Sequence, residues 1–254
     1  MAHAQPFCSN TGENFPEWIG KMSEELQQEG FGKKSLSALK GLSYQQDTIA
    51  LDRNQKSFQL NLEEFLYKRG ARFIIRRARF LKKKYSYLFQ DLEEKYGVPA
   101  GPLLAIWGME TAFGTFIGTH PTLSCLATLA YDCRRSSFFM QQFKDALRLV
   151  DQGEFSPRTK GAVQGEVGQT QFLPTNLKLY GVSYRGGSNI DVVHNSADAL
   201  ASTANFLQQK GWQRGGAYQE GEINFSLFSE WNSAAVYQKA LAYIAGKIDK
   251  KEAF

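Results

Sequence analysis

Cysteine and histidine are scarce in this sequence, with three of each. Cys8, Cys125 and Cys133 have no metal-ligand spacing, so no zinc or other metal site is expected. No apolar run approaches the roughly 20 residues that a helix needs to cross a bilayer, so no membrane span is expected. No phosphate-cradling glycine loop, dinucleotide fingerprint or serine elbow occurs, which removes support for nucleotide-driven and serine-hydrolase chemistry. No internal repeat, linker or composition break divides the chain. A basic run at Arg76, Arg77, Arg79, Lys82, Lys83 and Lys84 has no recognition motif beside it, so it reads as the charged outer face of a surface helix and nucleic acid is not expected.

What is present fits a globular protein. At 254 residues the chain can bury a large core. Its 43% hydrophobic and 22% charged content is ordinary for such a protein. With 19 Phe, 11 Tyr and 4 Trp, some aromatics must line surfaces or clefts as well as the core. A formal charge of +5 mildly favours polyanionic partners, among them a membrane surface or an acidic wall polymer. At the start, Ala2-His3-Ala4 looks like the small-residue tail of a secretion signal. The mature chain is then expected to begin near Gln5 and to work outside the cytoplasm. In an oxidising compartment two of the three cysteines could pair. Cys8 with Cys133 is favoured because Cys125 lies in an apolar helical run; three free thiols is the alternative.

One stretch dominates, from Leu103 through Trp107 and Glu110 to Gly114. Pro99 and Pro102 fall where a helix begins, and Gly114 where a left-handed C-terminal cap would end it. Leu103, Leu104, Ile106, Trp107 and Phe113 leave almost no polar face, which predicts a buried helix. Its single ionisable group is Glu110. Lost hydration among Trp107, Met109 and Phe113, and the negative end of the helix dipole, both favour the neutral acid. A general acid needs such a retained proton. A buried carboxylate paired with an arginine is the alternative.

Elsewhere, helical spacing recurs at Phe15–Leu26, in a long amphipathic pattern from Ile74 to Tyr96 read as one helix, and at Ser124–Tyr131. It recurs again at Phe139–Val150, Asn195–Leu207 and Tyr237–Ile248. Residues 43–55 read as an extended connection and residues 154–173 as a loop rich in Gly, Gln and Thr. Tyr184–Val193, around Gly186-Gly187, suggests a small hairpin without the acidic pattern of a calcium loop. The reading is one mainly α domain over 1–254. A helical lobe at about 14–96 packs on a core at about 97–250.

An acid among aromatics fits cleavage of a glycosidic bond, whose leaving oxygen must be protonated. The nearest second carboxylate is Glu166, in a loop whose amides suit an N-acetyl group. Ala105-Ile106-Trp107-Gly108-Met109-Glu110-Thr111-Ala112-Phe113-Gly114 resembles the catalytic helix of the lytic murein transglycosylase B family, glycoside hydrolase family 103. The likeness continues in register through Leu126–Asp132, Arg134-Arg135, Gly168–Pro174, Ser196–Phe206, Gly211-Trp212, Trp231-Asn232 and Tyr237.

This resemblance implies a lysozyme-like helical fold with a minor β-hairpin element. It implies cleavage of the β-1,4 bond between N-acetylmuramic acid and N-acetylglucosamine in peptidoglycan, leaving a 1,6-anhydromuramyl end. By similarity Glu110 is the catalytic acid, and Gln171, Arg134, Arg135, Glu166, Phe172, Asn232 and Tyr237 bind substrate. No cofactor is implied. The partner is the glycan strand, the site of action the periplasm, and a monomer is expected. The chain also departs from the family pattern. Ala162 stands where many members have a Ser that contacts the catalytic Glu, and Glu166 replaces a small residue. Two other functions stay open: a muramidase in which Glu166 activates water, and a non-catalytic wall-binding protein.

Overall fold

The structure, a computed structural model, describes residues 8–54 and 60–250. Ala2-His3-Ala4 and Gln5 lie outside them. Along the chain run α1 (Phe15–Gln28), α2 (Lys33–Leu39), α3 (Gln46–Arg53), α4 (Leu62–Lys68), α5 (Ala71–Lys84), α6 (Ser86–Tyr96) and α7 (Ala100–Thr111). Then come β1 (His120–Pro121), α8 (Thr122–Tyr131), α9 (Ser136–Gln152), β2 (Lys160–Gly161), α10 (Pro174–Tyr180), α11 (Ser196–Gln209), α12 (Phe228–Trp231) and α13 (Ala235–Asp249). The class is mainly α, as expected. β1 and β2 form a small antiparallel sheet with His120 opposite Gly161.

Three local expectations change. The strand pair is not at Tyr184–Val193, where no strand forms. There the two carboxylate oxygens of Asp198 accept the N–H groups of Tyr184 (2.8 Å) and Asp191 (3.0 Å), so the segment has no need of a partner strand. Residues 46–53 are helix α3 rather than an extended connection; only Thr48, Ile49 and Asp52 are buried, which leaves a weak apolar period. The pattern from Ile74 to Tyr96 is two helices. Tyr85 leaves helical geometry at φ −111° and ψ 35°. The buried register passes from Ile74, Ala78 and Leu81 to Phe89, Leu92 and Tyr96.

The contacts divide the chain into two compact units. The first holds residues up to Asn54, Gly118–Val167 and Gln171–Leu179; the second holds Gln55–Ile117, Gly168–Thr170 and Tyr180 onward. The lobe expected over about 14–96 coincides with neither, because α1–α3 belong to the first unit and α4–α6 to the second.

In the first unit α8 packs along α9, with α2 on α9 and α3 on α8. Phe15, Trp18, Tyr44, Tyr131 and Phe143 form an aromatic cluster with ring centroids 5.2–6.5 Å apart. Cys8 is joined to Cys133 as a disulfide, while Cys125 is free and buried.

In the second unit α13, α5, α11 and α6 all pack on α7. A helix apolar on every side must be enclosed this way. Gly108 permits the approach of α5, since a Cβ there would lie 2.5 Å from Ile74 Cγ2. The first turn of α7 has no cap of its own. Asp249, the last residue of α13, accepts the Gly101 N–H at 3.2 Å and sets a carboxylate at the positive end of the helix.

Candidate active site

Every residue of α7 is buried except Glu110. The enclosure that stabilises the helix therefore opens at one carboxyl group. Beyond Thr111 the chain turns sharply through left-handed backbone at Ala112 (φ 49°), Phe113 (φ 63°) and Gly114 (φ 80°). The cap expected at Gly114 thus begins two residues earlier, on side chains that resist this geometry. Such strain collects where a structure must hold a functional group in place. Its support is visible. The Thr111 hydroxyl donates to the Gln169 carbonyl at 2.5 Å and accepts from the Gly114 N–H at 2.8 Å. Trp107 Nε1–H donates to Gln169 Oε1 at 3.1 Å, and the Gln169 amide donates to Val193 O at 3.1 Å. Gln169 is a spacer that locks the end of the helix.

Glu110 Oε1 accepts from two side chains: the Tyr237 hydroxyl and Trp231 Nε1–H, the latter at 3.1 Å. Oε2 has no hydrogen-bond partner among the described residues. An oxygen that accepts two donors has little capacity to carry a proton itself, so the acidic proton belongs on Oε2. Burial pushes the Glu110 carboxyl above the usual carboxylate range; the Tyr237 and Trp231 hydrogen bonds and the nearby Arg69 cation pull the other way without reversing it. Tyr237 is held well above the usual phenol value by burial and by the Glu110 charge, so it acts as a neutral donor.

Two packing contacts fix these donors. Tyr237, in the first turn of α13, meets the Phe65 ring of α4 edge-on at 6.3 Å, and Arg69 lies 5.2 Å over that same ring. Trp231 ends α12 and meets the Phe206 ring of α11 at 5.3 Å. Asn232 follows, but its side chain is turned to its own backbone. Its Oδ1 accepts the Ala234 N–H at 3.0 Å and helps to start α13.

The remaining sequence-predicted residues belong to the first unit. Arg134 and Arg135 both converge on Asp52, a residue 4% exposed, which also accepts from Gln164 Nε2 at 2.9 Å. This is a structural pairing, although both guanidinium groups keep substantial solvent access. Glu166 accepts the Ala162 N–H through its backbone at 2.8 Å and lies within electrostatic range of Arg135. Val167 and Phe172 exchange a pair of backbone hydrogen bonds, 2.8 and 2.9 Å long. Phe172 is 2% exposed, which makes it a supporting side chain rather than a surface contact. Gln171 takes a left-handed conformation at φ 58°, again the mark of a residue whose position is imposed.

Trp231, Arg69 and Gln169 are absent from the residues singled out by sequence. Trp231 adjoins Asn232 in a quoted motif, and that adjacency is the signal that could have found it. Arg69 gives none, because it sits just past a short helix and reads as a surface cation. Among the described residues no group of three or more His, Cys, Asp or Glu could hold a metal ion.

A family model for the transglycosylase SLT domain matches residues 14–221. Membrane-bound lytic murein transglycosylase B of Escherichia coli (strain K12) is 33% identical over 122 residues, 47% of this chain and 34% of that protein. The chain therefore spans about a third of the length of that relative over the matched region. Among solved structures, SltB3 from Pseudomonas aeruginosa in complex with NAG-NAM-pentapeptide aligns with a TM-score of 0.86 at 23% identity, over 94% of this chain and 81% of that one. SltB1 from Pseudomonas aeruginosa, a soluble lytic transglycosylase, aligns with a TM-score of 0.82 at 21% identity, over 91% and 97%. These likenesses show a shared lysozyme-like helical fold.

Proposed function

The chain belongs to the transglycosylase SLT domain family, and from that premise we propose that it is a peptidoglycan lytic transglycosylase. It cleaves the β-1,4 bond between N-acetylmuramic acid and N-acetylglucosamine and leaves a 1,6-anhydromuramyl end. The observation that carries this reading is the single carboxyl of Glu110. It is raised toward its neutral form, held through Oε1 by two uncharged donors, and has no hydrogen-bond partner at Oε2 among the described residues.

Such a group performs both proton transfers. Glu110 Oε2–H protonates the glycosidic oxygen as the bond to the muramyl C1 breaks. The resulting carboxylate then takes the proton of the muramyl C6 hydroxyl, and that oxygen closes on C1. The nucleophile is already part of the substrate, so proximity replaces a second enzymic carboxylate. While the carboxylate is charged, Tyr237 and Trp231 stabilise it without supplying a counter-charge. That keeps Glu110 easy to reprotonate for the next turnover.

Gln171, Glu166, Asn232 and the two arginines remain the proposed sugar and peptide contacts. The arginines serve through the guanidinium edges not spent on Asp52. A periplasmic location is supported by the Cys8–Cys133 disulfide, since such bonds persist in oxidising compartments.

Mass spectrometry of the fragments released from purified sacculi tests the reaction. Anhydromuramyl ends are the expected product. Reducing ends would replace this reading with the muramidase one, and sacculus binding without release would replace it with the wall-binding one.

A further inference from the structure

α5 carries seven cations, Arg72, Arg76, Arg77, Arg79, Lys82, Lys83 and Lys84, and no acidic residue. That exceeds the formal charge of +5 of the whole chain, so the remainder of the chain carries no net positive charge. Some of these cations are engaged: Lys82 pairs with Asp249 at 2.5 Å, and Arg79 donates to the Lys247 carbonyl at 2.8 Å. Arg72, Arg76, Arg77, Lys83 and Lys84 make no ion pair among the described residues. A helix that only needed solubility would interleave Glu with these cations, because like charges three and four apart destabilise it.

The same face carries aromatic rings. Phe73, Arg77, Phe80 and Lys84 follow at i, i+4, i+7 and i+11, a single stripe on one side of the helix. Phe73 is 54% exposed, Phe80 55%, and Tyr87, just past the break at Tyr85, 84%. Arg77 lies 5.2 Å over the Phe80 ring, so cation and aromatic present themselves together. The adjoining side of α5 is buried through Ala71, Ile74, Ala78 and Leu81, while Phe73 and Phe80 stay exposed. Beside it is a surface groove of about 690 Å³, with Phe89, Ala100 and Ile248 among its apolar walls and Arg79, Lys83 and Lys250 among its cations.

We propose that the outer face of α5 docks the protein on an anionic lipid surface, with Phe73, Phe80 and Tyr87 entering the interface while Arg77, Lys83 and Lys84 meet the headgroups. Cations and phenyl rings on one exposed helix face match a charged bilayer interface. Phosphate contact alone would use the cations and leave the phenyl rings in water. This attachment is separate from the bond-cleaving chemistry and does not depend on it.

Co-sedimentation of the full chain with vesicles tests it. Binding to equimolar phosphatidylglycerol and phosphatidylcholine is expected, with little to phosphatidylcholine alone, and it weakens as salt is raised. Each cation at such a surface contributes about fivefold in partitioning, so Arg77→Gln with Lys84→Gln lowers it roughly 25-fold. Phe73→Ser with Phe80→Ser lowers it independently, at unchanged helix content and unchanged release of muropeptides. No vesicle binding, equal binding to both vesicle types, or variants that bind like the parent overturns the proposal. So does a 25-fold loss seen only with an oligonucleotide or with isolated sacculi.

Discussion

Glu110 of α7 and Asp145 of α9 are both carboxyls on helices packed into their units, and the protein treats them in opposite ways. Asp145 of α9, in the first unit, is 1% exposed. Burial works against its ionisation, yet Gln141, Lys178 and Thr175 bring its carboxyl below the usual range, with Lys178 Nζ at 2.5 Å and the Thr175 hydroxyl at 2.7 Å. Glu110 of α7, in the second unit, has more solvent access and ends above the usual range. The difference lies in the balance: at Asp145 an amide, an ammonium and a hydroxyl together outweigh desolvation, while at Glu110 a phenol and an indole do not. One carboxyl is spent on holding a helix junction; the other is biased toward its protonated form. Asp52, gripped by two guanidinium groups, belongs with Asp145.

The largest effect is expected at Glu110. Glu110→Gln keeps an acceptor for Tyr237 and Trp231 but removes the transferable proton. Release of muropeptides from sacculi should fall by about two to four decades, measured beside an unchanged circular dichroism spectrum. Asp145→Asn should do the reverse: near-normal activity, but a loss of about 3 kcal/mol in urea unfolding, because Lys178 keeps its charge in a partly closed site. If the two variants exchanged these phenotypes, the contrast between the carboxyls would fail.

Tyr237→Phe sharpens the comparison. The carboxylate loses a donor worth about 1.5 kcal/mol, so activity should drop roughly tenfold. The charged form is then less favoured, and the alkaline limb of the kcat/KM profile should move to higher pH. A shift to lower pH would mean that the phenol does not stabilise the carboxylate.

The smallest effect is a slope. Folded Glu110 holds its proton more tightly than the unfolded chain does, so its contribution erodes stability as pH rises from the ordinary carboxylate range through the raised folded value. Asp145 contributes stability that is complete above the ordinary range and lost as pH falls through its lowered value. Thermal unfolding should therefore show Glu110→Gln gaining on the parent between pH 4 and pH 7. A constant difference across that interval would remove the raised value of Glu110.

Much of this site was legible in the sequence because one helix is apolar on all sides. The run from Leu103 to Trp107 announces burial, and a carboxyl at its end is conspicuous for that reason. Tyr237 came from motif resemblance; no local pattern marks it as the partner of Glu110. Other features depend on contacts distant in sequence. The break at Tyr85 is invisible because the apolar period is the same on both sides of it. Ala112 and Phe113 take a left-handed turn that glycine would signal and they do not. The interleaved units, with α1–α3 grouped apart from α4–α6, rest on pairings no local window contains. Arginines at Arg134 and Arg135 could be read as ligands for substrate until Asp52, about 80 residues earlier, was seen between them.

The central claim is that Glu110 holds its proton to higher pH than an ordinary carboxyl does. Titration of the side-chain carboxyl carbons by NMR, with Glu110→Gln to assign the signal, tests it directly. One glutamate resonance, absent from that variant, should titrate clearly above the usual value of about 4.3. A Glu110 carbon titrating with the surface glutamates would contradict the account.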